Sequence, residues 1–270
     1  MRFTSLGSGS QGNALLVEYS SGATPVRVLV DCGLGLRLVL ERLSARGVSA
    51  SELDFILVTH EHADHIGGVA RLARHAGIPV LATHGTLLAA GCGFFDGVET
   101  VAISAHRAFD YQGLSIQPLP VPHDAREPIS VVFESPQARL AVVTDLGAPT
   151  AFLREALQGL TGLFLEFNHD RAMLDQGGYP PSLKARVGGG LGHLSNTQAS
   201  EILRDCLHPG LAVVIAAHLS QNNNHPDLVR AAVQDIPFGT TRFDIASQDS
   251  GFDWVSLSGA VRADKDEIAL

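Results

Sequence analysis

Residues 57–68 read LVTHEHADHIGG. His60, His62, Asp64 and His65 crowd together directly behind the apolar run DFILVT, residues 54–59. An apolar run of that length closed by polar residues predicts a buried strand that ends at the rim of a core. Neutral imidazoles packed this tightly cost free energy when they are desolvated without partners, and a bound metal removes that cost. Imidazole nitrogen and carboxylate oxygen are ligands of zinc, and equally of manganese and iron. The loop geometry suits two ions. His60 and His62 turn to one side, and Asp64 and His65 to the other, as the chain enters a helix at Ile66. A polar loop that merely happens to be His-rich is the bland alternative, and four ligand-type residues closing one strand weigh against it.

One short motif does not fill two coordination shells of about four or five ligands each. Partners are expected at other strand ends. His123 follows SIQPLPVP, Asp145 follows RLAVVT, and His218 follows LAVVIAA. Each is a polar residue terminating an apolar run. His75, His84, His106, His208 and His225 lack that setting and read as surface or helix-end histidines.

Working outward, apolar periodicity alternates between strand and helix. NALLVEY and PVRVLVDCG read as strands, followed by the helix GLRLVLERLSARG, with Leu36, Val39, Leu40 and Leu43 on one face. DFILVTH is a strand and HIGGVARLARHAG a helix that stops at Gly77. IPVLAT, VETVAIS, GLSIQPLP, ISVVFES and RLAVVTD read as strands, then TAFLREALQGL as a helix and GLFLEF as a strand. SNTQASEILRDCL is a helix opened by a capping box, Ser195 with Gln198. LAVVIAAH is a strand, and HPDLVRAAVQD a helix with Pro226 in its first turn. Each half gives strands first and helices after. Two such halves packed sheet to sheet make an α/β fold, a four-layer αββα sandwich, over residues 1–260. Residues 261–270 read as a solvated tail.

Composition fits this picture. The chain has 270 residues, 45% hydrophobic and 17% charged, with a formal net charge of -9. That is globular rather than disordered, and it lacks the basic footprint of a nucleic-acid coat protein. No apolar run approaches the roughly 20 residues of a membrane span. The start, MRFTSLGSGSQGN, has no export-signal pattern. Cys32, Cys92 and Cys206 are too scattered for a disulfide framework and read as small, mostly buried residues of a reducing cytoplasm.

The set HEHADH, His123, Asp145 and His218 resembles the metallo-β-lactamase superfamily of metallohydrolases, over nearly the whole chain. The resemblance implies that His60, His62 and His123 hold one metal, that Asp64, His65 and His218 hold the other, and that Asp145 bridges them. The cofactor expected is two divalent ions per chain, zinc or manganese, with iron also compatible. Within the superfamily, SLGSGSQGNALLVE, LEFNHD, GHLSN and AHLSQNNNHP resemble the WalJ/YycJ exonuclease branch. The activity this implies is metal-assisted phosphodiester hydrolysis, as a 5′-to-3′ DNA exonuclease. Small-molecule cyclic phosphodiesterases and thioester or lactone hydrolases of the same superfamily are the alternatives.

The loops also have physical readings. His193 precedes a helix N-terminus, where backbone N–H groups favour an anion, and is a candidate general acid. Asp64 is a second candidate catalytic residue, orienting the nucleophile. Ser8 and Asn13, Asn168 and His169, Lys184 and Arg186, and Ser195 and Asn196 are candidate substrate contacts. Lys184 and Arg186 sit in PPSLKARVGGG, read as a solvated loop or a backbone contact, with the glycine run 188–190 as a mobile approach.

Overall fold

The computed structural model describes residues 1–20, 22 and 24–257. The expected tail, 261–270, lies outside the described residues. Among the described residues the strands form two seven-stranded sheets. The first holds β1 (Arg2–Gly7), β2 (Ala14–Tyr19), β3 (Val26–Val30), β4 (Phe55–Leu57), β5 (Val80–Thr83) and β6 (Thr100–Ile103), and the late strand β14 (Phe252–Ser256) joins its edge beside β1. The second holds β7 (Phe109–Tyr111), β8 (Leu114–Pro120), β9 (Ile129–Ser135), β10 (Ala138–Val143), β11 (Gly162–Glu166), β12 (Val213–Ala217) and β13 (Arg242–Ile245). Its order is β13-β12-β11-β10-β9-β8-β7. The helices are α1 (Leu36–Ala45), α2 (Ala63–Ile66), α3 (Val69–Ala76), α4 (His84–Ala90), α5 (Ala151–Ala156), α6 (Arg171–Gln176), α7 (Pro181–Val187), α8 (Asn196–Cys206) and α9 (Pro226–Val233).

The layering follows from strands that are apolar on both faces. Leu15 and Val17 of β2 and Phe55 and Leu57 of β4 point between the sheets, where they meet Leu140, Val142, Val213 and Ile215. Their neighbours Leu16, Ile56 and Val58 point outward onto Val39, Leu43, Val69 and Leu72 of α1 and α3. Ala141, Val143, Val214 and Ala216 point outward from the second sheet onto Leu153, Ile202, Leu203 and Val229 of α5, α8 and α9. Period-two alternation therefore feeds a central core and two outer ones, the four layers expected from the sequence. Glu18 is the buried exception within β2, and it is paired with Arg2 at 2.6 Å and Arg27 at 2.9 Å.

Each sheet is half antiparallel and half parallel. β3 to β6 run parallel, as do β10 to β13. β8 pairs antiparallel with β9, and β9 antiparallel with β10, so β8 and β10 share a direction. The carboxyl ends of β3, β4, β8, β10, β11 and β12 supply the residues of the site described below, the position where open α/β sheets bind ligands.

Three expectations need correction. HIGGVARLARHAG is two helices, α2 and α3, broken at Gly67–Gly68. Gly68 packs against the turn after β3: a Cβ there would lie 2.0 Å from the Leu34 carbonyl oxygen, and its N–H donates to the Cys32 carbonyl at 2.7 Å. PPSLKARV forms a helix, α7, with Pro at its first position. The glycine run after it folds back on that helix. Gly192 N donates to Gly189 O at 2.9 Å and His193 N to Val187 O at 2.8 Å, and a Cβ on Gly192 would sit 2.2 Å from two carbonyl oxygens of α7. Cys92 is exposed, whereas Cys32 and Cys206 are buried.

The HEHADH loop is clamped to the turn after β3. Asn13 N donates to Asp64 O at 2.8 Å, and Gly33 N to Asn13 O at 2.9 Å. A Cβ on Gly33 would lie 1.9 Å from the Asp64 carbonyl oxygen, a backbone atom already bonded. Gly33→Ala should therefore cost about 2–3 kcal/mol and lower the thermal midpoint by roughly 5–10 °C. Gly35, with open space around it, is the control. Equal midpoints for Gly33→Ala and Gly35→Ala would show that the loop yields freely.

Candidate metal centre

Three strand ends turn by an uncommon route. Asp31, Asp145 and His218 adopt positive φ of 60°, 57° and 53°, just beyond β3, β10 and β12. Non-glycine residues held there cost on the order of 1–3 kcal/mol each and cluster at functional sites. The fourth such residue among those described, Gln112, turns the tight connection between β7 and β8.

These turns bring the seven sequence-predicted ligands together. Ligand-type atoms of His60, His62 and His123 form one group, those of Asp64, His65 and His218 a second, and Asp145 groups with His60 and His65 between them, each group within 4.8 Å. His62 Nδ1 lies 3.2 Å from His123 Nε2. Asp64 Oδ2 lies 3.4 Å from His65 Nε2 and 3.3 Å from His218 Nε2. An ion bound tetrahedrally at 2.0–2.1 Å has ligand atoms about 3.3 Å apart, so the spacing fits.

Unpartnered atoms point the same way. His60 Nε2 and Asp145 Oδ2 are buried without a hydrogen-bond partner among the described residues. Asp145 Oδ2 sits 3.0 Å from His65 Nε2, but without hydrogen-bond alignment. Orphaned donors and acceptors of this kind are uncommon in folded cores, and a cation coordinated by both atoms satisfies them.

The opposite edges of the imidazoles are occupied. His65 Nδ1 donates to Asp31 Oδ2 at 2.7 Å, and His60 Nδ1 meets Thr59 Oγ1 at 3.0 Å. Thr59 Oγ1 donates onward to Asp31 Oδ2 at 2.7 Å, and Thr59 N to Asp31 Oδ1 at 2.8 Å. On the other half, Glu166 Oε1 accepts from Nδ1 of both His193 and His218 at 2.9 Å, while Oε2 accepts from Leu146 N and Leu194 N. His123 Nδ1 donates to the Gly192 carbonyl at 3.0 Å. In His60, His65, His123 and His218 the Nδ1 edge is thus engaged and Nε2 is left for the centre, the arrangement that fixes tautomer and ring orientation in metal sites. Asp145, Glu166, His193 and His218 also lie close enough to form a group, but Glu166 already binds both rings there.

Asp31 and Glu166 join the candidate site without having been expected from the sequence. Each had a visible signal, a lone acid closing VRVLV and a lone acid inside GLFLEF, an expensive residue to bury unless it serves something.

The electrostatics differ across the centre. Burial pulls His60 well below the ordinary imidazole range, with the neighbouring His65 adding to the effect, and burial lowers His123 as well. Burial also opposes charge on His65 and His218, but acids outweigh it. Asp145 and Asp31 hold His65 well above its ordinary value, and Asp145, Asp64 and Glu166 raise His218 to about 10. Glu166, despite complete burial, is brought down to about 2 by His193 and His218. Acids gathered around these imidazoles favour positive charge at the centre, an electrostatic setting that suits a metal cation.

The centre floors a cavity of about 320 Å³. Of the expected substrate contacts, Asn168 and Arg186 line it, together with His193 and Asp64. Arg186 pairs with Asp124, whose carboxylate lies 3.5 Å from His123 Nε2. The others are placed elsewhere. Ser8 Oγ accepts from His218 N at 2.8 Å, and Asn13 Nδ2 donates to Asp64 Oδ2 at 3.2 Å, so both brace ligands from behind. His169 is fully buried, with neither ring nitrogen partnered among the described residues, and burial takes its pKa down to about 4. Lys184 Nζ donates to the Asp175 carbonyl at 2.7 Å. Ser195 caps α8 through Gln198, and Asn196 exchanges side-chain hydrogen bonds with Asn224.

Exodeoxyribonuclease YycJ of Bacillus anthracis is 32% identical over 238 residues, 87% of this chain and 89% of that protein. Exodeoxyribonuclease WalJ of Streptococcus pneumoniae is 31% identical over 231 residues, 84% of each. The metallo-β-lactamase fold protein YhfI of Bacillus subtilis superposes with a TM-score of 0.70 over 94% of this chain and 99% of that one, at 17% identity, which establishes a shared fold. Residues 26–218, from the start of β3 to the last ligand-type histidine, match the β-lactamase superfamily domain. The chain belongs to the β-lactamase superfamily and carries the metallo-β-lactamase fold.

Proposed function

We propose that this chain is a metal-dependent phosphodiesterase that removes nucleotides from DNA as a 5′-to-3′ exonuclease. The observation that carries the reading is the pair of three-residue ligand groups meeting at Asp145 on the floor of one cavity. Similarity to two exodeoxyribonucleases across most of the chain supports the polymer substrate. His60, His62 and His123 would hold one divalent ion, Asp64, His65 and His218 a second, and Asp145 both. Zinc, manganese and iron all suit these donors. A DNA substrate and buried free thiols at Cys32 and Cys206 accord with a reducing cytoplasm.

Divalent ions in such a site supply Lewis-acid stabilisation of charge on phosphoryl oxygens and bring the pKa of water toward neutrality. The protein's own groups supply the rest. Asp64 lines the cavity, accepts from Asn13 Nδ2, and orients the attacking water. His193 has Nδ1 bound to Glu166, so Nε2 is the atom that exchanges a proton with substrate. Burial disfavours the charged ring, but Glu166 and Asp145 outweigh it and raise its pKa above the ordinary value. With Nδ1 held by Glu166, His193 offers its Nε2 proton to the departing 3′ oxygen when the P–O3′ bond breaks. Arg186 at the wall of the cavity meets the phosphate backbone, exchanging its Asp124 partner for a substrate oxygen.

Three outcomes follow. A duplex carrying a 5′-phosphate and labelled at the 3′ end should give a ladder of shortening fragments in Mn²⁺ or Zn²⁺. Intact DNA with rapid cleavage of a cyclic phosphodiester would move the protein to small-molecule substrates, and intact DNA with rapid thioester or lactone cleavage would sink the phosphodiesterase reading.

Asp31→Asn removes the acceptor that orients His65 and, through Thr59, His60. Chelator competition should show metal affinity weakened roughly 10- to 100-fold, with the circular dichroism spectrum kept. Unchanged affinity would mean that Asp31 is merely a turn residue.

His193→Ala should retain bound metal and lose turnover by roughly 10²-fold or more on substrates with poor leaving groups. The loss should shrink on a p-nitrophenyl ester, whose leaving group needs no proton. Equal losses on both substrates would remove the general-acid role.

A further inference from the structure

Part of the cavity wall plays no role in holding metal or moving protons. α7 forms it. Leu183 and Val187, four residues apart on one helical face, line the cavity together with Tyr179 just ahead of the helix. All three are half-buried. The Tyr179 hydroxyl is held by Asn222 Nδ2 at 3.2 Å, which fixes the ring. The end of α7 is held by His193 N, which donates to Val187 O at 2.8 Å, and Asp124 N donates to Leu191 O at 2.9 Å beyond the helix. The amides of Asn168 and Asn223 also line the cavity, Asn168 Nδ2 donating to the His218 carbonyl at 3.1 Å and Asn223 Nδ2 to Ser220 Oγ at 3.4 Å. An aromatic and apolar surface in the same cavity as amide groups, beside acids and histidines gathered for metal, does not suit a phosphate. It suits a flat heteroaromatic ring with hydrogen-bonding edges.

We propose that this wall is a slot for the base of the terminal nucleotide. The base lies against Tyr179, Leu183 and Val187 with its edge toward Asn168 and Asn223, while the scissile phosphate lies over Asp64, Asp145 and His218. The proposal rests on the phosphodiesterase reading above and names what the site recognises. At about 320 Å³ the cavity is at the small end of ligand pockets, which run from about 300 to 1,000 Å³. One nucleotide fits such a volume and a base pair does not, so the terminal base must leave its partner before cleavage, as in other enzymes that extrude a base. Stacking tolerates any sequence because every base has a π-face, which is what stepwise degradation of arbitrary DNA demands.

The test uses the metal-loaded protein and two 5′-phosphorylated single strands, labelled at the 3′ end and differing only in the terminal residue. One carries a base and the other is abasic. Wild type should cleave the first linkage of the base-bearing strand roughly tenfold faster in kcat/KM, the scale of one base–aromatic stack. Tyr179→Ala and Leu183→Ser should each move that ratio toward one, and Tyr179→Phe should keep it. A readout without turnover uses the slow His193→Ala background, titrated with a strand ending in 2-aminopurine. Fluorescence should be quenched on binding, and adding Tyr179→Ala should abolish the quenching. Equal rates on the two strands in wild type would overturn the slot and leave the exonuclease reading standing. Cleavage of neither strand, with a cyclic phosphodiester hydrolysed, would overturn the nuclease reading and the slot with it.

Discussion

Two buried carboxylates organise everything at the centre. Asp31, at the end of β3, binds His65 directly and reaches His60 through Thr59. Glu166, the last residue of β11, binds His193 and His218. An unpaired carboxylate at either place would be a severe penalty in a dry interior, and each is satisfied only when the rings turn their Nδ1 edges toward it. That requirement sets the tautomers, aims the remaining nitrogens inward, and leaves His60 Nε2 and Asp145 Oδ2 without partners among the described residues. The preference for a cation is thus written in hydrogen bonds one step away from where the cation sits.

The scaffold is what makes this arrangement tolerable. Three non-glycine residues in left-handed backbone, and five histidines and several acids packed around them, sum to a considerable local cost. The central core between the sheets, with Phe3, Phe55, Phe133 and Phe164 among its members, offsets it. The site lies where strand ends from both sheets meet, so ligands separated by up to 158 positions in the chain (His60 to His218) share one cluster. The strain lies at the carboxyl ends of β3, β10 and β12, and the rigid strands behind them carry it.

Charge distribution explains how a protein of net charge -9 engages a polyanion under the proposed function. Its buried acids near the site are committed: Asp31 and Glu166 to histidines, Asp64 and Asp145 to the ligand groups. Metal cations at the floor and Arg186 at the wall then dominate the field that a phosphate meets inside the cavity. Grip comes from a few strong contacts rather than a basic surface.

Much of the fold, and which residues would gather at the candidate centre, was legible in the chain itself. Runs such as DFILVT and LAVVIAA encode strands buried on both faces, and polar residues that break them, His60, Asp145 and His218, stand where a site must be. Short edge strands such as β7, β13 and β14 carry too few alternations to be seen, and α7 hides behind a proline pair and a glycine run. The loops show the boundary most clearly. LEFNHD and GHLSN look alike as strand-end and helix-start segments, each with one histidine. Tertiary packing seats His193 in the cavity against Glu166 and buries His169 with no partner. Ser8 and Asn13 likewise brace ligands rather than face substrate. Period and turn chemistry are local and so can be read from sequence. Which edge of a ring meets which acid is decided only when segments more than a hundred residues apart are packed together.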